Sequence, residues 1–281
     1  MWNNKRKKRC RWQQLLYSKM ETSSPTLSTT GLMLSILIDA MECRDVGTAD
    51  VVGAYLHADQ TDFTIIQLEG LAVEIMCEIC EGYNSFVTIE NGKKTLYLQL
   101  MKALYGCVKS ALLWYDLFSN TLLQMGFTLN PYDSCIANKM INNKQCTVAW
   151  YVDDNKISHV DPDVVTNIIL EIEKKFGKMT TTRGKSHNFL GMDIDFKPDG
   201  TVIICMKNYV QDAIDTFSDP ITKTATTPAQ RDLFENKYKA ELLQSPQKDV
   251  FHSIVAKLLY ISLRGRPDIE LAVAYLCTRV C

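Results

Sequence analysis

The chain has 281 residues, 46% of them apolar and 22% charged, long and apolar enough to bury a substantial core as one body or two subdomains, and it lacks the signature of disorder. A formal net charge of -1 excludes a broadly basic surface, so basic contacts have to be local. The longest apolar stretch, Gly31-Leu-Met-Leu-Ser-Ile-Leu-Ile38, stops at Asp39, far short of a membrane span, and the N-terminus has no apolar signal region, so the cytosol or nucleus is expected and a membrane is not.

Basic residues open the chain, at Lys5-Arg-Lys-Lys-Arg9 and Arg11. They read first as a solvated tail, with a nuclear signal and a remnant of a larger subdomain as the alternatives. The run Val46-Gly-Thr-Ala-Asp-Val-Val-Gly-Ala-Tyr-Leu56 is strand-like and carries Asp50 inside it. Ala111, Trp114, Leu117, Phe118, Leu122 and Met125 form a helical stripe that stops at Gly126. After a break at Asn130-Pro-Tyr-Asp133, Cys135 to Met140 reads as a strand, and Asn142-Asn143 turns it back into Gln145 to Tyr151, which places Asp153 at a strand end.

Asp161 caps a helix that Pro162 starts and Gly177 closes, with Val165, Ile168, Ile169, Ile172 and Phe176 on its buried face. A second basic group, Lys174, Lys175, Lys178, Arg183 and Lys185, follows the same stretch. Residues 186–206 are expected to form a hairpin around Pro198-Asp-Gly200, then a helix from about Asn208 to Phe217. Residues 218–248 read as a linker, and Phe251 to Leu263 and Pro267 to Val280 as two helices. The order strand, helix, paired strands, helix is a split βαβ arrangement. Ten cysteines lie scattered without a framework and are expected to be free thiols of a reducing compartment; Cys77-Glu-Ile-Cys80 finds no zinc partners at His57, His159, His187 or His252.

Tyr151-Val-Asp-Asp154 puts two adjacent carboxylates between two apolar runs. Such a string alone arises by chance in roughly a few per cent of chains this long, and its ordinary reading is a solvated turn. Asp50 changes the balance, because an acid inside an apolar strand needs a cation or a proton to neutralise it. Brought together, Asp50, Asp153 and Asp154 repel one another. Two magnesium ions would relieve that repulsion and supply the hard, oxygen-seeking centres that phosphoryl transfer uses.

At these residues the chain resembles the reverse transcriptases of copia-type retrotransposons. Asp50-Val-Val-Gly-Ala-Tyr-Leu56 looks like their first palm motif and Tyr151-Val-Asp-Asp154 like their second. Leu104-Tyr-Gly-Cys-Val-Lys-Ser-Ala-Leu-Leu-Trp-Tyr115 is similar to their Leu-Tyr-Gly-Leu-Lys-Gln-Ser-Pro-Arg-Ala-Trp-Tyr pattern; Phe189-Leu-Gly191, Leu258-Leu-Tyr260 and Arg266-Pro-Asp-Ile269 follow in the same order. The stretch from Thr182-Arg-Gly-Lys-Ser-His187 to Met192 also resembles the diatom-type branch.

The resemblance implies an α+β fold: a palm of split βαβ, ferredoxin-like antiparallel sheet with helices on one face, plus partial fingers and the start of a thumb or connection. It divides the chain into 1–21 (basic tail or incomplete fingers), 22–217 (fingers and palm), 218–248 (linker) and 249–281 (helical thumb or connection), with a Lys-x-Arg element of the fingers expected upstream and a ribonuclease H domain downstream. Asp50, Asp153 and Asp154 are implied as the catalytic ligands of two Mg2+ ions, with Mn2+ as the substitute. Gly53, Ala54, Tyr55, Lys109 and Val152 are implied nucleotide contacts, Tyr55 by stacking under the deoxyribose and rejecting a 2′-hydroxyl. Lys109 stands where the family has Gln, and Ala111 and Leu112 stand where it has Pro and Arg. Arg183, Lys185, Leu190 and Gly191 are implied primer contacts. Expected partners are an RNA template, a DNA primer, deoxynucleoside triphosphates and the rest of a polyprotein with integrase and ribonuclease H, in a cytoplasmic virus-like particle or the nucleus. The alternative is a catalytically inactive palm fragment of a decayed element that at most binds nucleic acid.

Overall fold

The structure, a computed structural model, describes residues 22–217, 221–222, 224–229, 233–235 and 242–280. The basic cluster at 5–11 and much of the expected linker lie outside the described residues.

Six strands make the central sheet: β1 (Asp45–Asp50), β5 (Thr128–Leu129), β6 (Ile136–Ile141), β7 (Lys144–Tyr151), β8 (Asp154–His159) and β9 (Thr180–Gly184), in the order β5-β6-β7-β8-β1-β9 with every neighbour antiparallel. This is the antiparallel α+β sheet expected for the palm. Asn142 and Asn143, at φ 52 and 58, form the tight turn between β6 and β7, a conformation asparagine tolerates better than most residues.

Helices α4 (Ser110–Gln124) and α5 (Pro162–Phe176) cover one face of the sheet. Their aromatic side chains interlock there, Trp114 against Phe176 at 5.1 Å and Phe118 against Trp150 at 5.4 Å between ring centroids. Close approach of α5 to β1 depends on Gly47, where an added Cβ would stand 3.1 Å from both Val165 and Ile169. As expected, Asp161 caps α5 by accepting from the Asp163 amide at 3.0 Å.

The opposite face is partly covered as well. Helix α1 (Thr29–Met41) sends Asp39 to an ion pair with Lys156 of β8, and His187 of β10 (Ser186–Phe189) meets the Thr48 hydroxyl of β1 at 3.2 Å. Lys156 and Thr48 sit two ladder positions from Asp154 and Asp50 on the same face, so these contacts cover the middle of that face and the two acids lie beyond them at its end.

Residues 186–206 hold three strands rather than one hairpin: β10, β11 (Met192–Phe196) and β12 (Val202–Cys205). The extra reversal lies at Leu190-Gly191. A second small sheet, β2 (Ile65–Glu69), β4 (Lys93–Gln99) and β3 (Thr88–Glu90), with helices α2 (Ala54–His57) and α3 (Leu71–Ile79), fills the stretch between the two sequence motifs. Helix α6 (Lys207–Thr216), α7 (Gln247–Ser262) and α8 (Glu270–Cys277) complete the described chain. Among the described residues no helix is long and apolar enough to cross a membrane.

Candidate active site

β1 ends at Asp50, which lies opposite Asp154, the first residue of β8. Antiparallel partners project to the same side, so both carboxylates stand on one face at the end of the sheet. β8 is joined to β7 by a two-residue turn, Val152-Asp153, closed by the Tyr151–Asp154 pair. Asp153, expected at a strand end, sits in the turn itself, two residues past β7 and one before β8. Its carbonyl accepts the Val51 amide at 3.1 Å, which ties the turn to the residue after Asp50. The three acids separated by about a hundred residues are thus drawn into one cluster by two strand pairings.

Val152 takes φ 60 in that turn, a left-handed conformation that a β-branched side chain rarely adopts and that costs about 1–3 kcal/mol. The surrounding contacts enforce it. Trp114 Nε1 donates to the Val152 carbonyl at 2.6 Å, and Asn155 Nδ2 donates to the Asp153 carbonyl at 2.8 Å and to the Ala49 carbonyl at 3.4 Å. Trp114 and Asn155 were not legible as site residues: the tryptophan reads as one member of a core stripe, although a buried indole N–H always has to find an acceptor. Trp114→Phe keeps the packing and removes the hydrogen bond. It is expected to lower stability by about 1 kcal/mol and to lower activity at least as much. Urea unfolding beside an activity assay checks this, and Val152→Gly, unstrained at φ 60, should restore part of the stability.

Electrostatics mark the cluster as unsettled without a counter-charge. Burial, then the charge of Asp50, raises the Asp153 carboxyl above the usual range, against a partial lowering by backbone N–H groups. Burial, then Asp153 and Asp50, raises Asp154. Hard oxygen donors that repel one another suit Mg2+ or Mn2+. Among the described residues, however, no three His, Cys, Asp or Glu side chains converge closely enough to form a ready-made metal cage. Magnesium is ordinarily held by one or two carboxylates, with water and substrate phosphates completing its shell, so an open carboxylate pair with a third acid beside it fits that ion better than a closed cage would.

Gly53 and Ala54 follow the cluster directly, Gly53 at φ 66 as the cap of α2. The Tyr55 ring lies on Tyr105, with centroids 4.3 Å apart and planes tilted by 33°. Both phenols are raised, mainly by burial and then by the charge of Asp153, which puts them beside the carboxylates. Tyr105, from the Leu104-Tyr-Gly106 motif, was quoted for the resemblance but not singled out as a site residue.

Other expected contacts are placed elsewhere. Lys109 caps α4 and is largely buried, with its ammonium 2.8 Å from Asp62, so a phosphate contact would first have to break that pair. Arg183 pairs with Gly47, three ladder positions from Asp50, on the alternate set of β9 side chains, and packs against α5. Its guanidinium is engaged by Asp45, by the Thr166 hydroxyl at 2.9 Å and by the Pro162 carbonyl at 3.1 Å. The structure does not bring Arg183 to the carboxylates, because a strand's period of two decides which face a residue takes, and sequence adjacency to Lys185 carries no such information. Lys185 is exposed at the β9–β10 corner, at the same far end of β1. Leu190 and Gly191 form the β10–β11 turn, and Tyr260 of α7 donates to the Leu190 carbonyl at 2.6 Å.

The family model described as reverse transcriptase (RNA-dependent DNA polymerase) matches residues 11–231. The chain is 27% identical over 180 residues to the putative transposon Ty5-1 protein of Saccharomyces cerevisiae, covering 63% of this chain and 56% of that protein. It is 24% identical over 253 residues to the retrovirus-related Pol polyprotein from transposon RE1 of Arabidopsis thaliana, covering 90% of this chain and 16% of that polyprotein. The chain thus spans about half the length of the first relative and a small part of the second. Among solved structures, telomerase from Candida albicans is similar with a TM-score of 0.38 and 12% identity over 95% of this chain and 55% of that one. The chain belongs to the reverse transcriptase (RNA-dependent DNA polymerase) family.

Proposed function

We propose that this chain is the RNA-directed DNA polymerase domain of a transposon polyprotein, adding deoxynucleotides to a primer 3′-hydroxyl. The observation that carries the reading is the facing pair Asp50 and Asp154, with Asp153 fixed in the adjoining turn at the end of the sheet. Asp50, Asp153 and Asp154 are the residues that would hold two Mg2+ ions, which when bound acidify the primer hydroxyl and neutralise the charge on the departing pyrophosphate. The protein's own part is positioning. Strained Val152 and the Trp114 and Asn155 hydrogen bonds hold Asp153 in one place, so little reorganisation is needed as charge develops.

The backbone N–H groups of Gly53 and Ala54, at the end of β1, are the proposed phosphate contacts. Tyr55, braced by Tyr105, is the proposed floor under the sugar, where its ring leaves no room for a 2′-hydroxyl. Tyr55→Ala is accordingly expected to reduce discrimination against ribonucleotides by roughly 10–200-fold, the range for one steric contact. Competing incorporation of ribo- and deoxynucleoside triphosphates measures the ratio. Integrase and ribonuclease H segments of the same polyprotein are the proposed neighbours.

Primer extension on an RNA template, with magnesium and deoxynucleotides, tests the reading. Template-dependent extension supports it. Binding of primer and template by a folded protein that extends nothing would leave a nucleic-acid-binding palm in its place.

A further inference from the structure

Two consecutive left-handed residues, Leu190 at φ 49 and Gly191 at φ 72, turn β10 into β11. A leucine in this conformation persists only where its surroundings over-determine it. Here the holding group comes from far along the chain: Tyr260 Oη donates to the Leu190 carbonyl at 2.6 Å. The Tyr260 ring is itself fixed, stacked on Tyr209 at 4.9 Å and 25° and carrying the Arg264 guanidinium 3.7 Å from its centroid. A Cβ added to Gly191 would stand 3.6 Å from Tyr209 and 3.9 Å from Tyr260, so the turn lies directly on both rings.

This assembly lies within electrostatic reach of the carboxylate cluster. Leu190, Tyr209 and Tyr260 pack against the same core as Tyr151 and Val152. Burial raises the Tyr260 phenol first, and the charges that act on it include those of Tyr151 and Asp154. Gly191 is exposed beside it and offers bare backbone to a ligand.

We infer that Tyr260 is a positioning residue for the primer end: through its hydrogen bond to Leu190, helix α7 holds the Leu190-Gly191 turn at a fixed place relative to Asp153 and Asp154. The inference rests on the polymerase reading above. It makes the register of the primer depend on α7, although α7 itself carries no residue of the cluster. Arg264 and Tyr209 serve the same end by clamping the Tyr260 ring.

Tyr260→Phe tests it, since the ring and its two partners stay and only the hydroxyl goes. Loss of one neutral hydrogen bond is expected to raise KM for primer–template about 2–10-fold, with a matching rise in Kd by fluorescence anisotropy of a labelled duplex and shorter products per binding event. KM for the deoxynucleotide should stay unchanged. A purely structural tyrosine would instead leave primer KM and product length at their wild-type values, or shift both substrates' KM together, and either result overturns the inference. Should the wild type bind duplex without extending it, the polymerase reading fails and the anisotropy shift alone decides the role of Tyr260. A folded wild type that does neither overturns both.

Discussion

Asp153→Asn is expected to lower primer extension by roughly 10²–10³-fold or more, the scale for removing one preorganised charge-stabilising group, and at the same time to make the metal-free protein more stable. The two effects share one cause. Burial and the nearby Asp50 carboxylate raise the Asp153 carboxyl in the folded state. A carboxyl whose folded pKa lies above its unfolded value of about 3.9 favours the fold when protonated, and that contribution is lost as pH rises through the folded value. At neutral pH in chelator the ionised cluster is therefore a burden, and an amide of the same shape removes it.

The expected gain is roughly 0.5–2 kcal/mol, the range common for relieving unfavourable charge. It should shrink as pH is lowered through the raised folded value, where the wild-type acid takes up its proton. Added magnesium should stabilise the wild type and have little effect on the variant. Melting curves in chelator and in magnesium, set beside extension assays, check all three parts. A variant that is inactive and also less stable in chelator would mean that Asp153 serves the fold, not the chemistry.

The second large effect is on stability. Lys156 and Asp39 are each 1% exposed and form an ion pair beneath the cluster, and Arg44, 3% exposed, stands 3.8 Å from the same carboxylate and donates to Thr147 at 3.1 Å. Removing one partner of a buried pair leaves an unpaired charge in the interior, which costs about 3–5 kcal/mol. Asp39→Ala strands Lys156 and leaves Arg44 to Glu42, 2.9 Å from its Nε, and should be the most damaging. Lys156→Met leaves Asp39 near Arg44 and should cost less. The double variant Asp39→Leu with Lys156→Met should recover part of the loss, since apolar groups can replace a buried pair at little penalty. Against a total of about 5–15 kcal/mol, the Asp39→Ala protein should unfold at a far lower urea concentration. Equal midpoints for Asp39→Ala and wild type would show that the pair contributes nothing.

Much of the scaffold was legible because it is written in local periodicity. Val165, Ile168, Ile169, Ile172 and Phe176 recur at helical spacing, Asp161 and Gly177 bracket them, and α5 forms between those two residues with those side chains buried. The Asn142-Asn143 turn followed in the same way from residues that accept positive φ. Legibility failed where a conformation is imposed from a distance. At Leu190-Gly191 only the glycine announces a reversal; the positive φ of the leucine before it is held by Tyr260, seventy residues on. The small sheet of β2, β3 and β4 went unread because its strands are mostly exposed.

The candidate site divides along the same line. By itself the sequence singled out Asp50, Asp153 and Asp154 as the candidate acids, since Asp50 inside an apolar strand and Asp153-Asp154 between two strands are chemical anomalies visible one segment at a time. Only the tertiary structure decided that Asp50 faces Asp154, that Lys109 is given to Asp62 and Arg183 to Asp45, and that Asp39, seemingly just the end of an apolar run, neutralises Lys156. The reason is physical: strand pairing and ion pairing are contacts between residues distant in the chain, each chosen by what else must be buried or neutralised nearby, and no single stretch of sequence contains both partners.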